Sequence, residues 1–402
     1  MLTLKSAQVR SIYSPFTTNS RNRKGRHCDA LSSERNVLYV AYPLASVNDE
    51  SCGGAEQMLF ALEREMARRG VATTVAACAG SRARGRLVET GDVALAFDQL
   101  AQRDAEHNTR VLALARENAA IQLIHDQGGR FWTEAAALDI PVLATLHLPR
   151  SFYPADVFEQ VPENVFFNCV SESQLQSFRD LPQMLGAVRN GVALELFPET
   201  LKKGEYLLWL GRICEEKGVH LAIEAAELAR LPLVVVGPSY MYSRDHEYFE
   251  AEVAPRLENN PAFTFVGSPS FPQKVELLRG ARGLLVTSTV EETSSLVAIE
   301  AMACGTPVIA FPCGALPEVV IDGHTGFIVD DTNEMARATP WLQKISGRAC
   351  RRHVERSYSI GRTATEYESL YQSVLDLASL PMEALSLGRA ILPHRTGVDG
   401  VA

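Results

Sequence analysis

The sequence predicts an α/β protein made of two doubly wound parallel-sheet domains. Short β-branched apolar runs alternate with amphipathic segments along most of the chain, and this alternation is typical of βαβ units. A length of 402 residues fits two or three domains, and a hydrophobic content of 46% is enough for sizeable cores. Neither Gly-x-Gly-x-x-Gly nor the P-loop pattern occurs, so simple dinucleotide dehydrogenases and P-loop NTPases are poor candidates.

Charge and cysteine usage narrow the class of protein further. The formal net charge of -9 argues against a nucleic-acid binder, because neutralising phosphates requires a basic surface. The eight cysteines form no Cys-x-x-Cys pair and have no histidine at zinc spacing, so we expect reduced thiols. No apolar run approaches the roughly 18 residues of a membrane span, and the N-terminus lacks the apolar core of a signal peptide. These features favour a cytoplasmic enzyme or binding protein.

The N-terminal domain is expected over residues 36–195. Before it, residues 1–35 show no periodicity, so we expect a poorly ordered basic tail, either solvated or in weak contact with anionic lipid or a partner. A helix is predicted at 55–69, after the first strand. Apolar runs predict strands at 36–42, 71–77, 121–124, 141–146 and 165–170.

The C-terminal domain is expected over residues 200–358. Strands are predicted at 206–210, 231–236, 263–266, 283–286 and 307–310, with helices at 217–229, 272–278 and 296–303. Residues 190–203 are the expected linker, a helix at about 360–380 is expected to return to the N-terminal domain, and 381–402 are expected to be a peripheral tail. Two such domains leave a cleft, and open parallel sheets bind ligands beyond the carboxyl ends of their strands.

Two cations follow the first strand of the C-terminal domain. Arg212 comes directly after a predicted strand end, and Lys217 stands at the expected start of the next helix. A guanidinium offers a planar fork to phosphate oxygens and an ammonium adds a compact charge, so the pair suits a diphosphate. The alternative is structural, with Lys217 on the first helical turn and Arg212 paired with Glu215.

Two glutamates bracket the start of a later helix. Glu292 lies in the loop and can accept hydrogen bonds from sugar hydroxyls, whereas Glu300 lies in an apolar helical stretch and needs donors such as a ribose diol. Ser294 or Ser295 is expected to be the N-cap of this helix, whose N-terminus can receive a phosphate. The alternative is a pair of solvated glutamates.

Two glycines and two histidines are candidate site residues of the N-terminal domain. Gly53 and Gly54 join the first strand to the first helix, where they allow a ligand to approach the backbone. His125 and His147 fall at predicted strand ends and are both expected to face the cleft. A structural role for these four residues is the alternative.

Taken together, these motifs resemble the retaining family-4 glycosyltransferases of the GT-B fold, over roughly residues 36–380. The similarity is closest to bacterial members that make surface or secondary-metabolite oligosaccharides. The motifs that carry it are Gly53-Gly54-Ala55-Glu56, Ala144-Thr145-Leu146-His147, Val170-Ser171-Glu172-Ser173, Asn190-Gly191-Val192, Gly211-Arg212 with Lys217-Gly218, and the stretch from Glu292 to Glu300.

The resemblance implies transfer of a sugar from a uridine, guanosine or adenosine diphosphate sugar to an acceptor hydroxyl, with the anomeric configuration retained. It implies that Arg212 and Lys217 bind the diphosphate, that Glu300 holds the ribose, and that Glu292 and His147 contact the sugar. The four implied catalytic residues are His147, Arg212, Lys217 and Glu292. The full implied donor-binding set is Gly53, Gly54, Arg212, Lys217, Glu292, Ser295, Leu296, Val297 and Glu300, with His125 as an acceptor-side or cleft residue.

The resemblance also has implications for the metal, the cofactor and the acceptor. No Asp-x-Asp tripeptide occurs, so we expect no metal and no cofactor. The sequence offers no obvious enzymic nucleophile, which fits a front-face displacement. The acceptor is expected to be a sugar, a lipid-linked molecule or a small molecule, reached in the cytoplasm or at the inner face of the membrane. In place of the family's Gly-Phe-Gly after the first glutamate stands Thr293-Ser294-Ser295. This departure leaves open a catalytically silent nucleotide-sugar-binding protein or a sugar-nucleotide epimerase of the same fold.

Overall fold

The computed structural model describes residues 35–43, 45–51, 53–93, 100–238 and 243–380. The expectations for the two tails therefore lie outside the described residues, apart from Arg35. The six cysteines within the described part are free thiols, and Cys28 and Cys52 lie outside it. Among the described helices, none combines the length and the apolar character that crossing a membrane would require.

Two parallel sheets form the frame of the molecule. The first has seven strands in the order β3-β2-β1-β4-β5-β6-β7, and the second has six in the order β10-β9-β8-β11-β12-β13. The first sheet contains β1 Asn36–Val40, β2 Ala72–Ala77, β3 Arg86–Glu89, β4 Leu123–Asp126, β5 Val142–Thr145, β6 Val165–Cys169 and β7 Met184–Ala187. The second contains β8 Leu207–Leu210, β9 Leu233–Val236, β10 Phe263–Val266, β11 Gly283–Val286, β12 Val308–Ala310 and β13 Gly326–Ile328.

Helices cover both sheets. They are α1 Gly54–Arg68, α2 Leu100–Glu117, α3 Glu172–Phe178, α4 Val219–Ala229, α5 Ser243–Tyr248, α6 Ala254–Glu258, α7 Phe271–Gly280, α8 Leu296–Ala303, α9 Leu316–Val319, α10 Thr332–Ala338, α11 Gly347–Ser357 and α12 Ile360–Ala378. A π-helical segment, Phe249–Val253, joins α5 to α6. Short 3-10 helices occur at Phe131–Ala137, Arg150–Phe152, Leu194–Leu196, Glu215–Lys217 and Thr339–Lys344.

The predicted strands and helices are present, with ends that shift by a few residues, but the sequence missed three strands. β3, β7 and β13 are the edge strands that were not predicted, and the second sheet therefore does not end at β12. Their residues are mostly half-buried or exposed, whereas β4, β5, β11 and β12 are buried along their whole length. Central parallel strands give continuous apolar runs because both faces are covered, and edge strands do not.

The last helix, α12, packs on the first sheet although the chain has by then passed through the second. Tyr367 and Tyr371 of α12 lie in one buried cluster with Tyr39 of β1 and Met58 of α1. The hydroxyls of Tyr39 and Tyr371 are 3.1 Å apart. This face of the first sheet is therefore completed by the C-terminal end of the described chain.

The chain crosses between the sheets twice, and the two crossings lie side by side. Val192 N donates to Tyr358 O at 2.9 Å, and Ile360 N donates to Val192 O at 2.9 Å. Thr363 Oγ1 adds a hydrogen bond of 2.8 Å to Arg189 O at the start of α12. This paired crossover holds the two sheets together at one place and leaves the carboxyl ends of their strands free to form a cleft.

Candidate functional site

Two helix N-termini, one from each sheet, meet in the cleft. α1 begins at Gly54 and α8 begins at Leu296, and a methyl group added to Gly54 would lie 3.6 Å from Leu296 Cδ1. Neither N-cap residue, Gly53 or Ser295, makes a side-chain capping bond. At α1 the buried carboxylate of Glu56 lies against Gly53 and accepts a hydrogen bond from its own backbone N–H, so an acidic group already occupies this N-terminus. An uncapped N-terminus such as that of α8 presents N–H groups and the positive end of the helix dipole, and therefore suits an anion.

The hydroxyl of Ser295 is available for a ligand. Ser295 is 3% exposed, and its Oγ has no hydrogen-bond partner among the described residues. Ser295 is the N-cap of α8, which confirms one of the two predicted positions, and its side chain makes no capping bond. A buried hydroxyl without a partner costs about 1–3 kcal/mol, and a bound anion at the helix N-terminus would recover that cost.

Lys217 and Glu292 form an ion pair at the same edge of the second sheet. Lys217 Nζ lies 2.5 Å from Glu292 Oε1, and the hydroxyl of Ser288 donates to that same carboxylate oxygen. Glu292 is buried, whereas the lysine side chain is 34% exposed. The carboxylate is therefore fixed from two directions, and the ammonium keeps a surface that faces solvent.

A constrained turn holds Lys217 over the end of β11. Gly218 has a φ of 64°, and a Cβ there would lie 2.3 Å from Thr287 O. Thr287 Oγ1 in turn donates to Gly218 O at 2.7 Å. Only glycine fits this left-handed, close-packed position. Helix α4 consequently begins at Val219, and Lys217, which we expected to start it, is the last residue of the short 3-10 turn Glu215–Lys217.

Arg212 follows β8, as the sequence predicted, and pairs with Glu216 instead of Glu215. Its Nη2 lies 3.3 Å from Glu216 Oε2, with 32% of the arginine side chain exposed. Arg244 contacts the other oxygen of the same carboxylate at 3.3 Å. Arg212 and Lys217 thus lie on one loop, and each is partly exposed beside a carboxylate.

Glu300 lies on α8 and is buried against Lys274, which the sequence analysis did not identify. Glu300 is 3% exposed, and its Oε1 is 2.8 Å from Lys274 Nζ. The ammonium lies 5.1 Å from the ring centre of Phe271 and 5.8 Å from that of Phe197. The alternative of two solvated glutamates is therefore wrong, since both Glu292 and Glu300 are buried. Lys274 already compensates the Glu300 charge, so this carboxylate does not depend on ribose hydroxyls alone.

His147 lies two residues after β5 and contacts loops of both domains. Its Nε2 is 2.6 Å from Gln127 Oε1, and its backbone carbonyl accepts a hydrogen bond of 2.7 Å from Thr293 Oγ1 in the loop before α8. Burial lowers the pKa of His147 to about 4, so the imidazole is neutral at pH 7. The first residue of the unusual Thr293-Ser294-Ser295 segment therefore bridges the cleft.

The prediction that His125 faces the cleft is wrong. His125 is 0% exposed, with Nδ1 2.7 Å from Tyr371 Oη and Nε2 2.8 Å from Thr145 Oγ1. It is a residue of β4, where it lies beneath α12, and burial lowers its pKa well below the ordinary value. His125 therefore has a structural role, which was the alternative interpretation.

A second contact across the cleft, at Glu318, was not predicted. Its carboxylate accepts hydrogen bonds from the backbone N–H groups of Glu172 at 3.2 Å and Ser173 at 2.5 Å, in the first turn of α3. An acidic side chain at a helix N-terminus is stabilising. Glu318 and Thr293 thus hold the second sheet against loops of the first at two separate points.

Comparison with known proteins agrees with this architecture. The model of the family "Glycosyl transferases group 1" matches residues 195–351, and that of "Glycosyltransferase Family 4" matches residues 52–180. Among curated proteins, a D-inositol 3-phosphate glycosyltransferase of Mycobacteroides abscessus is 26% identical over 407 residues, covering 88% of each chain.

Two solved structures share the fold at low sequence identity. Sucrose-phosphate synthase from Thermosynechococcus elongatus has a TM-score of 0.71 at 21% identity, covering 85% of this chain and 99% of that one. HepE from Anabaena, solved in complex with UDP and glucose, has a TM-score of 0.68 at 16% identity, covering 84% of this chain and 100% of that one. The two family models together span more than half of the sequence, and the chain belongs to the family 4 glycosyltransferases of the GT-B fold.

Proposed function

We propose that this protein is a retaining, metal-independent glycosyltransferase that moves a sugar from a nucleoside diphosphate sugar to an acceptor hydroxyl. One observation carries the proposal: the uncapped N-terminus of α8 meets Gly54 across the cleft and follows the loop in which Glu292 holds Lys217. A diphosphate at this junction would be contacted from the acceptor side by Gly53 and Gly54. The second sheet would supply both cations, which makes it the nucleotide-sugar side.

Stabilising the leaving group is the main chemical task. Breaking the anomeric bond puts negative charge on the diphosphate, and fixed cations and helix N-termini at that position lower the barrier most. Arg212 can bind two phosphate oxygens with its planar fork, and Lys217 adds a compact charge. Because Lys217 is held by Glu292 and Arg212 by Glu216, both cations are oriented before the donor binds.

The carboxylates suit the hydroxyls of the donor. Glu300 would hold the ribose, since pairing with Lys274 through one oxygen does not exhaust the acceptor capacity of a carboxylate. Glu292 would accept from the transferred sugar, and the half-buried backbone of Leu296 and Val297, with the unpaired hydroxyl of Ser295, would line the phosphates.

Retention is proposed to proceed by front-face displacement. Glu292 is tied to Lys217 and Ser288, which favours a binding role over attack on the sugar. His147 is neutral and bonded to Gln127, which favours positioning over general base catalysis. The departing phosphate would then take the proton of the acceptor hydroxyl, so the O–H bond and the anomeric C–O bond break as the new glycosidic bond forms.

The Thr293-Ser294-Ser295 segment is compatible with transfer. A silent binding protein would need no closed cleft, whereas the Thr293 hydroxyl joins the loop before α8 to the loop after β5. Closure excludes water and so favours transfer over hydrolysis. This contact favours an active enzyme over a silent binding protein.

A solved relative suggests which donor to test first, and the acceptor class stays the one expected from the sequence. HepE was solved with UDP and glucose, which supports a uridine diphosphate sugar as the first donor to test, ahead of guanosine and adenosine diphosphate sugars. The acceptor is proposed to be a sugar, a lipid-linked molecule or a small molecule, met in the cytoplasm. The net charge of -9 gives no support to a nucleic-acid partner.

The experiment that tests the proposal is product analysis by NMR, with excess chelator present. An α-linked donor should give an α-linked product, and chelator should leave the rate unchanged. A product of inverted configuration would overturn retention, and loss of activity with chelator that is restored by metal would overturn metal independence. An altered sugar still attached to its nucleotide would identify an epimerase.

A further inference from the structure

A cavity of about 240 Å³ lies at the amino ends of strands of the second sheet, whereas the cleft lies at their carboxyl ends. Its walls include Arg282 and Pro307, which directly precede β11 and β12, and Glu205, which stands two residues before β8. The volume is below the roughly 300–1,000 Å³ of pockets for drug-sized ligands, so the cavity suits an ion or a small metabolite. None of its described lining residues belongs to the proposed transfer site, so the two sites are separate.

Lys203 lines this cavity and pairs with no carboxylate among the described residues. Its Nζ donates to Arg279 O at 3.0 Å, Cys304 O at 3.1 Å and Thr306 Oγ1 at 2.7 Å, so neutral oxygens take its three protons. Two of these oxygens lie at the C-terminal ends of α7 and α8, whose dipoles favour a cation. Burial lowers the pKa of Lys203 to about 8, and the lysine is still mainly charged at pH 7. The cavity wall thus carries a positive charge that local dipoles stabilise but no described carboxylate neutralises.

Arg282 adds a second cation to the same cavity. Its Nη1 lies 3.2 Å from Glu205 Oε2, and the side chains of the arginine and the glutamate are 20% and 83% exposed. Ion pairs with such an exposed carboxylate contribute little, so Glu205 is a weak competitor for the guanidinium. The Nε of Arg282 is buried and has no hydrogen-bond partner among the described residues. Because a guanidinium can bind an oxyanion through two parallel N–H groups, Arg282 keeps the capacity to bind one.

The charged residues that line the cavity are Lys203, Arg282 and Glu205, which leaves one positive charge in excess. A phosphate group carries a charge of about −1.5 to −2 at neutral pH and offers three acceptor oxygens, so it matches two cations better than a singly charged carboxylate does. We propose that this cavity binds a phosphate group, as inorganic phosphate or as a small phosphate monoester, with Arg282 as its hydrogen-bond donor and Lys203 as its electrostatic partner. The site is additional to the proposed sugar transfer and does not depend on it.

The test is calorimetric titration of the full-length protein with inorganic phosphate and with glycerol phosphate, at an ionic strength held constant with chloride. Arg282→Gln should weaken the binding of both by about tenfold or more, because it removes a charge-assisted hydrogen bond. Lys203→Met keeps the length of the side chain and should also weaken binding. Glu205→Gln should strengthen binding by at least about twofold, because it removes a like charge and releases Arg282. Since Glu205 is exposed, this last variant tests the site even where Lys203→Met fails to fold.

Arg279→Gln is the matched control. Arg279 also pairs with an exposed glutamate, Glu276, and also has a buried Nε without a partner among the described residues, but it does not line the cavity. Its replacement should leave phosphate affinity within about twofold of the wild type. Lys217→Ala is the control for the cleft, where a phosphate could bind at the proposed diphosphate site. That variant should keep the binding that Arg282→Gln loses.

The two probes also distinguish the sources of the phosphate group: tighter binding of glycerol phosphate identifies a small monoester, and equal affinities identify inorganic phosphate. The inference is overturned if neither probe binds at millimolar concentration, or if Arg282→Gln binds phosphate as the wild type does. Loss of binding in Lys217→Ala alone would place the phosphate in the cleft and would also overturn it. Failure of the proposed function would leave these titrations unchanged, because they require no sugar donor.

Discussion

The hydroxyl of Thr293 donates a hydrogen bond of 2.7 Å to the backbone carbonyl of His147 and so joins the loop before α8 to the loop after β5. Thr293 belongs to the segment in which this chain departs from its family's usual glycines and phenylalanine. The contact gives that departure a physical role, because a threonine hydroxyl can bridge a cleft that a glycine backbone would leave open.

Thr293→Val keeps the shape of the side chain and removes the bridge. We expect the free energy of unfolding to fall by about 1 kcal/mol, the value of one such hydrogen bond. We also expect donor hydrolysis to rise relative to transfer, because a less closed cleft admits water. Thr293→Ser keeps the hydroxyl and is the control. Equal partition between water and acceptor in the valine variant and the wild type would contradict a closing role.

Lys217→Ala and Arg212→Ala should each weaken nucleoside diphosphate binding by about tenfold to a hundredfold, since each removes a charge-assisted hydrogen bond. The loss should be larger for the diphosphate than for the monophosphate, as measured by calorimetry. Arg244→Ala is the matched control, because Arg244 shares Glu216 with Arg212 and is 70% exposed. Equal losses for all three variants would point to general surface charge instead of a diphosphate site.

Lys274→Met should destabilise the protein by about 3–5 kcal/mol, because it leaves the buried Glu300 carboxylate unpaired. Adding Glu300→Gln on that background should restore most of the loss, and urea unfolding measures both. If Lys274→Met costs no more than a surface substitution, the ion pair has no structural role and Glu300 is solvated after all.

Stability should decrease as the pH falls from about 6.5 to 4, with His107 as one cause. Burial lowers the pKa of His107 to about 4 from the ordinary 6.5, so between these values the unfolded chain binds a proton that the folded chain does not. His107→Gln should flatten this dependence in urea unfolding at pH 7 and pH 5. His324→Gln, at an exposed position, should keep the wild-type slope. An unchanged slope in His107→Gln would contradict the assignment.

The sequence predicts the interior of each sheet well but misses three of the four edge strands. β11 and α8 were predicted to the residue, because a buried apolar run between turn residues defines their ends. The edge strand β10 was also predicted to the residue, because its Phe-Thr-Phe-Val run is aromatic and β-branched although two of its residues are exposed. β3 and β13 were not predicted, because an edge strand needs no continuous apolar run.

The site was predictable where residue type carries the chemistry. Lys217 and Glu292 form an ion pair, since their loops follow strands β8 and β11, which are neighbours in the sheet. The burial of His125 was not predictable, because Tyr371, which packs on it, follows more than two hundred residues later. The pairing of Lys274 with Glu300 was not predictable either, because the two residues lie on different helices, α7 and α8.

The most direct test of a diphosphate site in the cleft is a panel of uridine, guanosine and adenosine diphosphates and their sugar conjugates. Binding is scored by thermal shift, and turnover by slow diphosphate release without acceptor. A diphosphate site in the cleft predicts a clear thermal shift with one base and slow release from one of its sugar conjugates. The absence of a shift with any of them, in well-folded protein, would contradict a diphosphate site in the cleft.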